Sequence, residues 1–386
     1  AIALMLATPT FAADFTITGT VTTPQTLDGT AGNNTGVIET GGTLTVGATA
    51  IATTGPDNTI TNSGIITSTG LDGIQSTGAN AIITNSGTIT AILDGIYSAP
   101  NATNAIITNS GTITAIRDGI DSSGANATIT NSGTIKATID DGIYSDAAGA
   151  TINNSGIIDA GDDGIYSDGV NAIITNSGII TADDEGINSD GANAIITNTN
   201  SGTITAADDG IDADGDGSII NNSGTIDAGD DGIVSDATNV IITNSGRIDA
   251  DDDGIVSNGS NATITNSGII DADDKGIYLN GDGATINNSG HITGTNHAVL
   301  GATSDSLTLN LLKGSQLMGA IDLGGAGAVD NDTVNIHGGS VSATLTLLNT
   351  ENINLLGPGL KLSGDVVAVS VDGTADAARS VVLSTI

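Results

Sequence analysis

Residues 172–192 read AIITNSGIITADDEGINSDGA, and variants of this stretch recur along most of the chain. The tripeptide Asn-Ser-Gly returns after 22, 23 or 24 residues, and its last four steps are all 22. It begins at Asn62, Asn85, Asn109, Asn131, Asn154, Asn176, Asn200, Asn222, Asn244, Asn266 and Asn288. A fixed period in this range is typical of repeat architectures, in which each unit buries its apolar face only against its neighbours.

Isoleucine flanks the tripeptide with a period of two residues. Counting its Asn as position 0, Ile stands at −2 in every repeat but one, Gly stands at +2 and Ile at +4. The exception is the repeat at Asn200, where the pattern indicates that Asn198 and Thr199 are an inserted pair. Alternation with period two is typical of a β-strand that buries one face. The pattern predicts that Ile, Asn and Gly face inward, while Thr and Ser face outward.

The second half of each repeat centres on Asp-Gly-Ile, whose Ile follows the tripeptide Asn by 11 or 12 residues. Short strands separated by turns at this period predict an all-β fold, a parallel β-helix with coils of about 22–24 residues. Parallel crossover connections are almost always right-handed, so we expect a right-handed winding. Leucine-rich repeats share the period but need a Leu-x-x-Leu-x-Leu frame that this chain lacks.

Composition divides the chain into four parts. Residues 1–12 form a short apolar run with a small-x-small end, which predicts the remnant of a signal peptide cleaved before Ala13. Residues 13–61 are only loosely periodic and predict degenerate N-terminal capping coils, and residues 62–300 hold the regular repeats. Residues 301–386 lose the tripeptide but keep alternating apolar runs, which predicts irregular C-terminal coils.

The charge balance and the absence of Cys exclude some classes of partner and site. The chain of 386 residues has 44 Asp and Glu against 7 Lys and Arg, for a formal net charge of −37. Phosphate recognition needs clustered Lys and Arg, so nucleic acid is excluded as a partner. The chain has no Cys, which excludes disulfides and thiolate metal sites.

Acidic residues recur at the turn before each Asp-Gly-Ile glycine. The inner acid column is Asp72, Asp94, Asp118, Asp141, Asp163, Glu185, Asp209, Asp231 and Asp253, and Lys275 ends it. The outer acid column is Asp140, Asp162, Asp184, Asp208, Asp230, Asp252 and Asp274. Stacked carboxylates repel, and Ca²⁺ would relieve that repulsion. The alternative is turn chemistry alone, with Asp as a cap and Gly at positive φ. Gly324–Asp332 resembles a calcium-binding nonapeptide only once.

The remaining candidate residues have structural alternatives. The inward Asn side chains predict an amide ladder from coil to coil. Tyr97, Tyr144, Tyr166 and Tyr278 each follow the turn Ile and should point outward, where Tyr144 and Tyr166 could stack as a sugar platform or pair across strands. His291, His297 and His337 lie near the end of the chain without a distinctive Ser or Asp constellation. The sequons at Asn101, Asn126 and Asn261 are expected by chance in this composition.

Several features resemble the passenger region of Gram-negative autotransporters, the type V secreted proteins. They are the Asn-Ser-Gly-x-Ile core, the leader, and the absence of Cys. More specific is the pair of segments Leu309–Gly325 and Asn331–Ile336, which is similar to the segment that many passengers carry before a C-terminal barrel. Asp365–Asp372 is similar to the approach to that barrel. The resemblance implies export to the cell surface or outer membrane and a barrel that follows Ile386.

We therefore expect a non-enzymatic, surface-exposed or secreted passenger that acts as an adhesion and structural rod on a Gram-negative outer membrane. A calcium-binding surface or biofilm protein that uses the acid columns is the alternative, and a carbohydrate-active β-helix enzyme is the second alternative. No catalytic, cofactor or metal residue is assigned. Host-cell or matrix glycans, host proteins and a second copy of the chain stay open as partners.

Overall fold

The computed structural model describes residues 14–27, 33–301, 306–324, 331–337, 347–348, 350, 352–356, 360–363, 366–370 and 378–382. The expected signal peptide, its cleavage point and most of Gly324–Asp332 lie outside these residues. The chain folds as an all-β parallel solenoid of about 14 turns, which confirms the predicted β-helix. The right-handed winding stays a prediction. The described part of the chain contains no helix that could cross a membrane.

Each regular coil contributes three short strands, and equivalent strands stack into three parallel columns. The first-strand column contains Phe15–Ile17, Thr35–Ile38, Thr59–Asn62, Ile82–Asn85, Ile106–Asn109, Thr128–Asn131, Thr151–Asn154, Ile173–Asn176, Ile195–Asn198, Ile219–Asn222, Ile241–Asn244, Thr263–Asn266, Thr285–Asn288, Thr308–Leu311, Thr333–His337 and Asn352–Leu356. The second-strand column contains Thr20–Val21, Thr43–Val46, Ile65–Ser68, Thr88–Thr90, Thr112–Ala115, Thr134–Ala137, Ile157–Ala160, Ile179–Ala182, Thr203–Ala206, Thr225–Ala228, Arg247–Ala250 and Ile269–Ala272. The third-strand column contains Gln25–Leu27, Ile51–Thr53, Ile74–Ser76, Ile96–Ser98, Ile120–Ser122, Ile143–Ser145, Ile165–Ser167, Ile187–Ser189, Ile211–Ala213, Ile233–Ser235, Ile255–Ser257 and Lys275–Leu279.

Beyond these coils the second and third columns merge. The long strand His291–Gly301 pairs with Ile269–Ala272 through its first half and with Lys275–Leu279 through its second half. Gln316–Asp322 continues this merged column and pairs with Leu347–Leu348.

The last three strands differ from the expected C-terminal coils. Leu360–Ser363, Val366–Ser370 and Ala378–Val382 pair antiparallel in a separate three-stranded sheet. Antiparallel neighbours can be joined by short turns, whereas a solenoid coil needs a full crossover.

Equivalent residues pair in register, so the columns have uniform composition. Ile174 pairs with Ile152 on one side and Ile196 on the other. Asn176 pairs with Asn198, not with Asn200, so the expected insertion at Asn198 and Thr199 was wrong. Asn198 holds the ladder position with Ile196 two residues before it, and the extra residues form the following turn.

The interior consists of isoleucine columns with two polar columns between them. Ile at the −2 and +4 positions and the turn Ile are fully buried, as predicted from the alternation. The ladder Asn side chains are equally buried, and the third strands add an inward serine column that includes Ser98 and Ser122. Since this interior is filled by side chains, any ligand must bind on an outer face.

Two glycine positions depend on close coil packing. A Cβ on Gly87 would overlap the carbonyl oxygen of Gly64 in the preceding coil, and a Cβ on Gly95 would overlap the Cγ2 atom of Ile113 in the next coil. The Asp-Gly-Ile glycines are not at positive φ, so the expected turn geometry there was wrong. Positive φ occurs instead in the turn after the third strand, where Asn80, among others, adopts a φ of 58°.

Candidate functional site

The Asn ladder is structural, and its buried position removes it from the candidate ligand sites. At every step from Asn62 to Asn288, the Nδ2 of one Asn donates to the Oδ1 of the next at 2.7–3.0 Å. Nδ2 also donates to a backbone carbonyl in the next coil, as from Asn85 to Thr112 at 3.3 Å. These contacts satisfy the amide without water, as buried polar groups require.

The inner acid column lies in the turn between the second and third strands. Most of its carboxylates are buried, and Asp118 is only 4% exposed. Asp118 Oδ1 accepts a 3.1 Å hydrogen bond from the backbone N–H of Asp141, whose Oδ1 accepts one from the N–H of Asp163. Asp163, Asp209, Asp231 and Asp253 accept the same bond, so these acids cap the backbone of the next coil, a cross-coil version of the expected turn chemistry.

Burial raises the pKa values of several Asp carboxyls in this column. It is the largest cause of the rise to about 6 at Asp94 and to about 7 at Asp141, Asp209 and Asp231. Burial, then Glu185 and Asp141, also raise the pKa of Asp163. A carboxyl that loses water and faces like charges resists ionisation.

The two acid columns bring carboxylates from neighbouring coils together. In several groups of three, one oxygen of each residue lies within 4.8 Å of the others. Three of these groups are Asp162 with Asp163 and Asp184, Asp184 with Glu185 and Asp208, and Asp208 with Asp209 and Asp230. Carboxylate oxygens are the ligands that Ca²⁺ prefers, so this arrangement could hold a hard cation.

Basic side chains meet the inner acid column at two places. The Arg117 guanidinium lies 3.7 Å from Asp94, 3.5 Å from Asp118 and 3.2 Å from Asp140. Further along the chain, Lys275 Nζ lies 3.0 Å from Asp253 Oδ2 and 2.6 Å from Asp274. The described coils between these two places have carboxylates at the same positions.

Tyr144 and Tyr166 stack, as their positions in successive coils predicted. Their ring centroids are 5.2 Å apart and their planes differ by 9°. The Tyr166 hydroxyl donates a 3.0 Å hydrogen bond to Asp190, which orients its ring. Beside the rings is an open cleft of about 350 Å³, which we call the tyrosine cleft. Its lining residues are Asp141, Tyr144, Asp162, Asp163, Tyr166, Asp184, Glu185 and Asn188.

The other candidates are distributed without a common site. His291 and His297 lie on one long strand, and His337 ends a strand of the first column. His291 Nε2 is 2.9 Å from Thr293 Oγ1. Asn126 and Asn261, two of the sequon residues, hold positive φ in the turn after the third strand, which is a backbone reason for Asn there.

The sequence reasoning missed two acids on the outer side of the third strands. Asp121 and Asp212 occupy the position that Tyr144 and Tyr166 occupy in other coils. Burial raises the pKa of Asp121 to about 7 and, with Asp214, raises that of Asp212. The alternation that placed the tyrosines on this face could have found them.

No protein-family model matches the chain, and searches of curated proteins and of solved structures found no match either. The function is therefore inferred from the geometry of the chain itself.

Proposed function

We propose that this chain is a non-enzymatic, surface-exposed or secreted β-helical passenger, an adhesion and structural rod on a Gram-negative outer membrane. The observation that carries the proposal is the charge distribution of the solenoid. None of the first strands from Thr59–Asn62 to Thr285–Asn288 contains a charged residue, in a chain with a net charge of −37.

The outer side of these strands, which we call the first-strand face, repeats the same chemistry in every coil. Ile82, Ile106, Ile173 and Ile241 are 41–45% exposed there, and Thr residues such as Thr84 stand beside them. Stacked coils place these side chains about 4.8 Å apart in regular rows. A flat, uncharged row of Ile and Thr can approach another surface without charge repulsion, and the acid columns keep the other edge hydrated.

Charge insertion on the first-strand face tests the adhesive role. The variant Ile173→Asp/Ile195→Asp places two acids in adjacent coils, at side chains that are 43% and 38% exposed. The matched control Ile157→Asp/Ile179→Asp makes the same change on the second strands, at 45% and 46% exposure. We expect adhesion of bacteria displaying the chain to matrix-coated and epithelial surfaces to fall severalfold in the first variant only.

Self-association is measured on the same pair by light scattering of the purified chain. A loss of association confined to the first variant identifies a second copy as the occupant of the first-strand face. If both variants adhere and associate like the original chain, the proposed role of this face is wrong.

A calcium-dependent surface protein is the second candidate, favoured by the carboxylate groups that meet within 4.8 Å. Burial is the main cause of the raised pKa values, and repulsion between neighbouring carboxylates adds to it; Ca²⁺ would relieve that repulsion. Thermal melting at pH 7.5 with Ca²⁺ and then with excess chelator tests it, and a reversible rise in melting temperature is expected. An unchanged melting temperature removes this candidate and leaves the adhesive role untouched.

A further inference from the structure

Lys275 and Tyr278 form an internal ammonium site. Lys275 Nζ lies 4.7 Å from the centroid of the Tyr278 ring, in the range of cation–π contacts. The same ammonium hydrogen-bonds Asp253 and Asp274. One aromatic face and two carboxylates, from two neighbouring coils, thus surround one primary ammonium.

The tyrosine cleft repeats this arrangement of one ring and two carboxylates, with an acid at the position of Lys275. The backbone N–H of Lys275 donates to Asp253 Oδ1, and the N–H of Asp163 donates to Asp141 Oδ1 in the same way. By this register, Asp141 corresponds to Asp253 and Asp163 corresponds to Lys275.

The second carboxylate and the ring of the Lys275 site also have counterparts in the cleft. Asp162 precedes Asp163 as Asp274 precedes Lys275, and Tyr166 stands on the third strand as Tyr278 does. The cleft therefore has the carboxylates and the ring of the internal site, with an acid where the lysine would be.

Two further features of the cleft favour a cation that carries N–H groups and methylenes. Asn188 Oδ1 is buried and accepts no hydrogen bond from any residue that the structure describes. Tyr144 extends the aromatic surface over a second coil. A bare metal ion could bind the Asn188 oxygen but would leave the two ring faces unused, whereas an alkyl ammonium would donate to that oxygen and pack its methylenes on the rings.

We propose that the tyrosine cleft binds a linear polyamine, with one primary ammonium between Asp141, Asp162 and the Tyr166 ring. The methylene chain packs along the stacked rings, and the next amine reaches Asp184 and Glu185 in the following coil. Amines separated by three methylenes have a spacing similar to the coil rise of about 4.8 Å, and a four-methylene segment can shorten to it by one gauche bond. This site is independent of the adhesive role proposed for the first-strand face.

Spermidine binding to the full chain, followed by calorimetry and tyrosine fluorescence at physiological salt, tests the proposal. The chain has four Tyr and no Trp, so its fluorescence reports on these rings. Val234 occupies the position of Tyr166 three coils further along the chain, so Tyr166→Val introduces a residue that this column already accepts. We expect about fivefold weaker spermidine binding in this variant. Tyr97→Val is the matched control, because Tyr97 pairs with Gln75 and Asp121 and stacks on no tyrosine, and it should bind normally.

Asp163→Lys is the second variant, since it copies Lys275 and places an ammonium of the chain itself in the cleft. We expect it to abolish spermidine binding and to raise the melting temperature. Spermidine binding that survives Asp163→Lys, or that weakens equally in Tyr166→Val and Tyr97→Val, would overturn the proposal. A third result would also overturn the proposal: Mg²⁺ displaces spermidine equally well at the same concentration of positive charge, and Tyr166→Val has no effect. Binding would then be diffuse charge attraction.

Discussion

Asn85 Nδ2 donates a 2.7 Å hydrogen bond to Asn109 Oδ1, and Asn109 donates a 2.8 Å bond to Asn131 in turn. The three amides are fully buried in an interior that consists mainly of isoleucine, alanine and serine. Removing one amide therefore takes one hydrogen bond from the Nδ2 of the preceding Asn and one from the Oδ1 of the following Asn, while Asn85 Nδ2 keeps its bond to Thr112.

For Asn109→Ala we expect a loss of about 2–4 kcal/mol in the free energy of unfolding, because both neighbouring amides lose a buried hydrogen bond and a cavity is left. Urea denaturation followed by circular dichroism measures this loss. Ser110→Ala changes the adjacent exposed residue and should stay within about 0.5 kcal/mol of the original chain. A similar small change for Asn109→Ala would mean that the ladder adds no net stability.

The tripeptide glycine is predicted to be intolerant of any side chain. In Gly111→Ala the new Cβ would overlap the carbonyl oxygen of Gly87, so the two coils must separate and weaken their hydrogen bonds. We expect a loss of several kcal/mol, of about the size seen for overpacked cores. Gly47→Ala, whose Cβ would have open space around it, serves as the control and should be nearly neutral. Urea denaturation measures both variants, and equal unfolding midpoints would contradict the close-packing explanation.

The features that sequence predicted best are those carried by period-two alternation. The alternation correctly predicted the buried isoleucines, the Asn ladder and the outward, stacked Tyr144 and Tyr166. Within a strand, side-chain direction follows from position alone. The register at Asn198 was misjudged because the literal tripeptide at Asn200 was given more weight than the Ile196 that precedes Asn198 by two residues.

The features that sequence could not predict lie in the turns. Alternation ends where a strand ends, so nothing in the pattern showed that Asp118 is buried or that its carboxylate caps the next coil. The Lys275 contact with Tyr278 likewise depends on the path of the turn between them. Turn geometry was inferred from residue type, and the Asp-Gly glycines proved to be selected by coil contact instead of positive φ.

Lys275 is expected to stabilise the solenoid mainly at neutral and basic pH. Burial works against its ammonium, but the hydrogen bonds to Asp274 and Asp253 outweigh this and raise its pKa. In Lys275→Met, Asp253 loses its counter-charge while it stays buried, so we expect a loss of about 1–3 kcal/mol at pH 8. Because burial raises the pKa of Asp253, the loss should shrink on acidification, as protonation of its carboxylate removes the unpaired charge.

Lys136→Met provides the matched control for that variant. Lys136 pairs with Asp159 on the surface, where both side chains are nearly half exposed. Exposed ion pairs contribute little, so this variant should change stability by less than about 1 kcal/mol at either pH. Equal losses of stability in the two variants would mean that the Lys275 contacts stabilise the fold no more than an exposed ion pair does.

The buried acid column is expected to give the chain an unusual pH dependence. The folded pKa values of Asp94, Asp141, Asp209 and Asp231 lie at about 6 to 7, above the ordinary Asp value of about 3.9. Between about pH 4 and pH 7 the folded chain therefore binds more protons than the unfolded chain, so the free energy of unfolding falls as the pH rises through this window. One pKa unit corresponds to about 1.4 kcal/mol per carboxyl, and we expect the total loss from pH 5 to pH 8 to reach about 3 kcal/mol or more.

Urea midpoints at pH 5 and pH 8 measure this dependence, and both values lie above the isoelectric point of about 4.1. Asp141→Asn and Asp231→Asn remove two of the raised groups and should flatten the pH profile. Asp57→Asn, a change to an exposed carboxyl at the edge of the solenoid, should leave the profile unchanged. A chain that becomes less stable on acidification from pH 8 to pH 5 would contradict the raised pKa values, because carboxyls with lowered pKa values give that opposite slope.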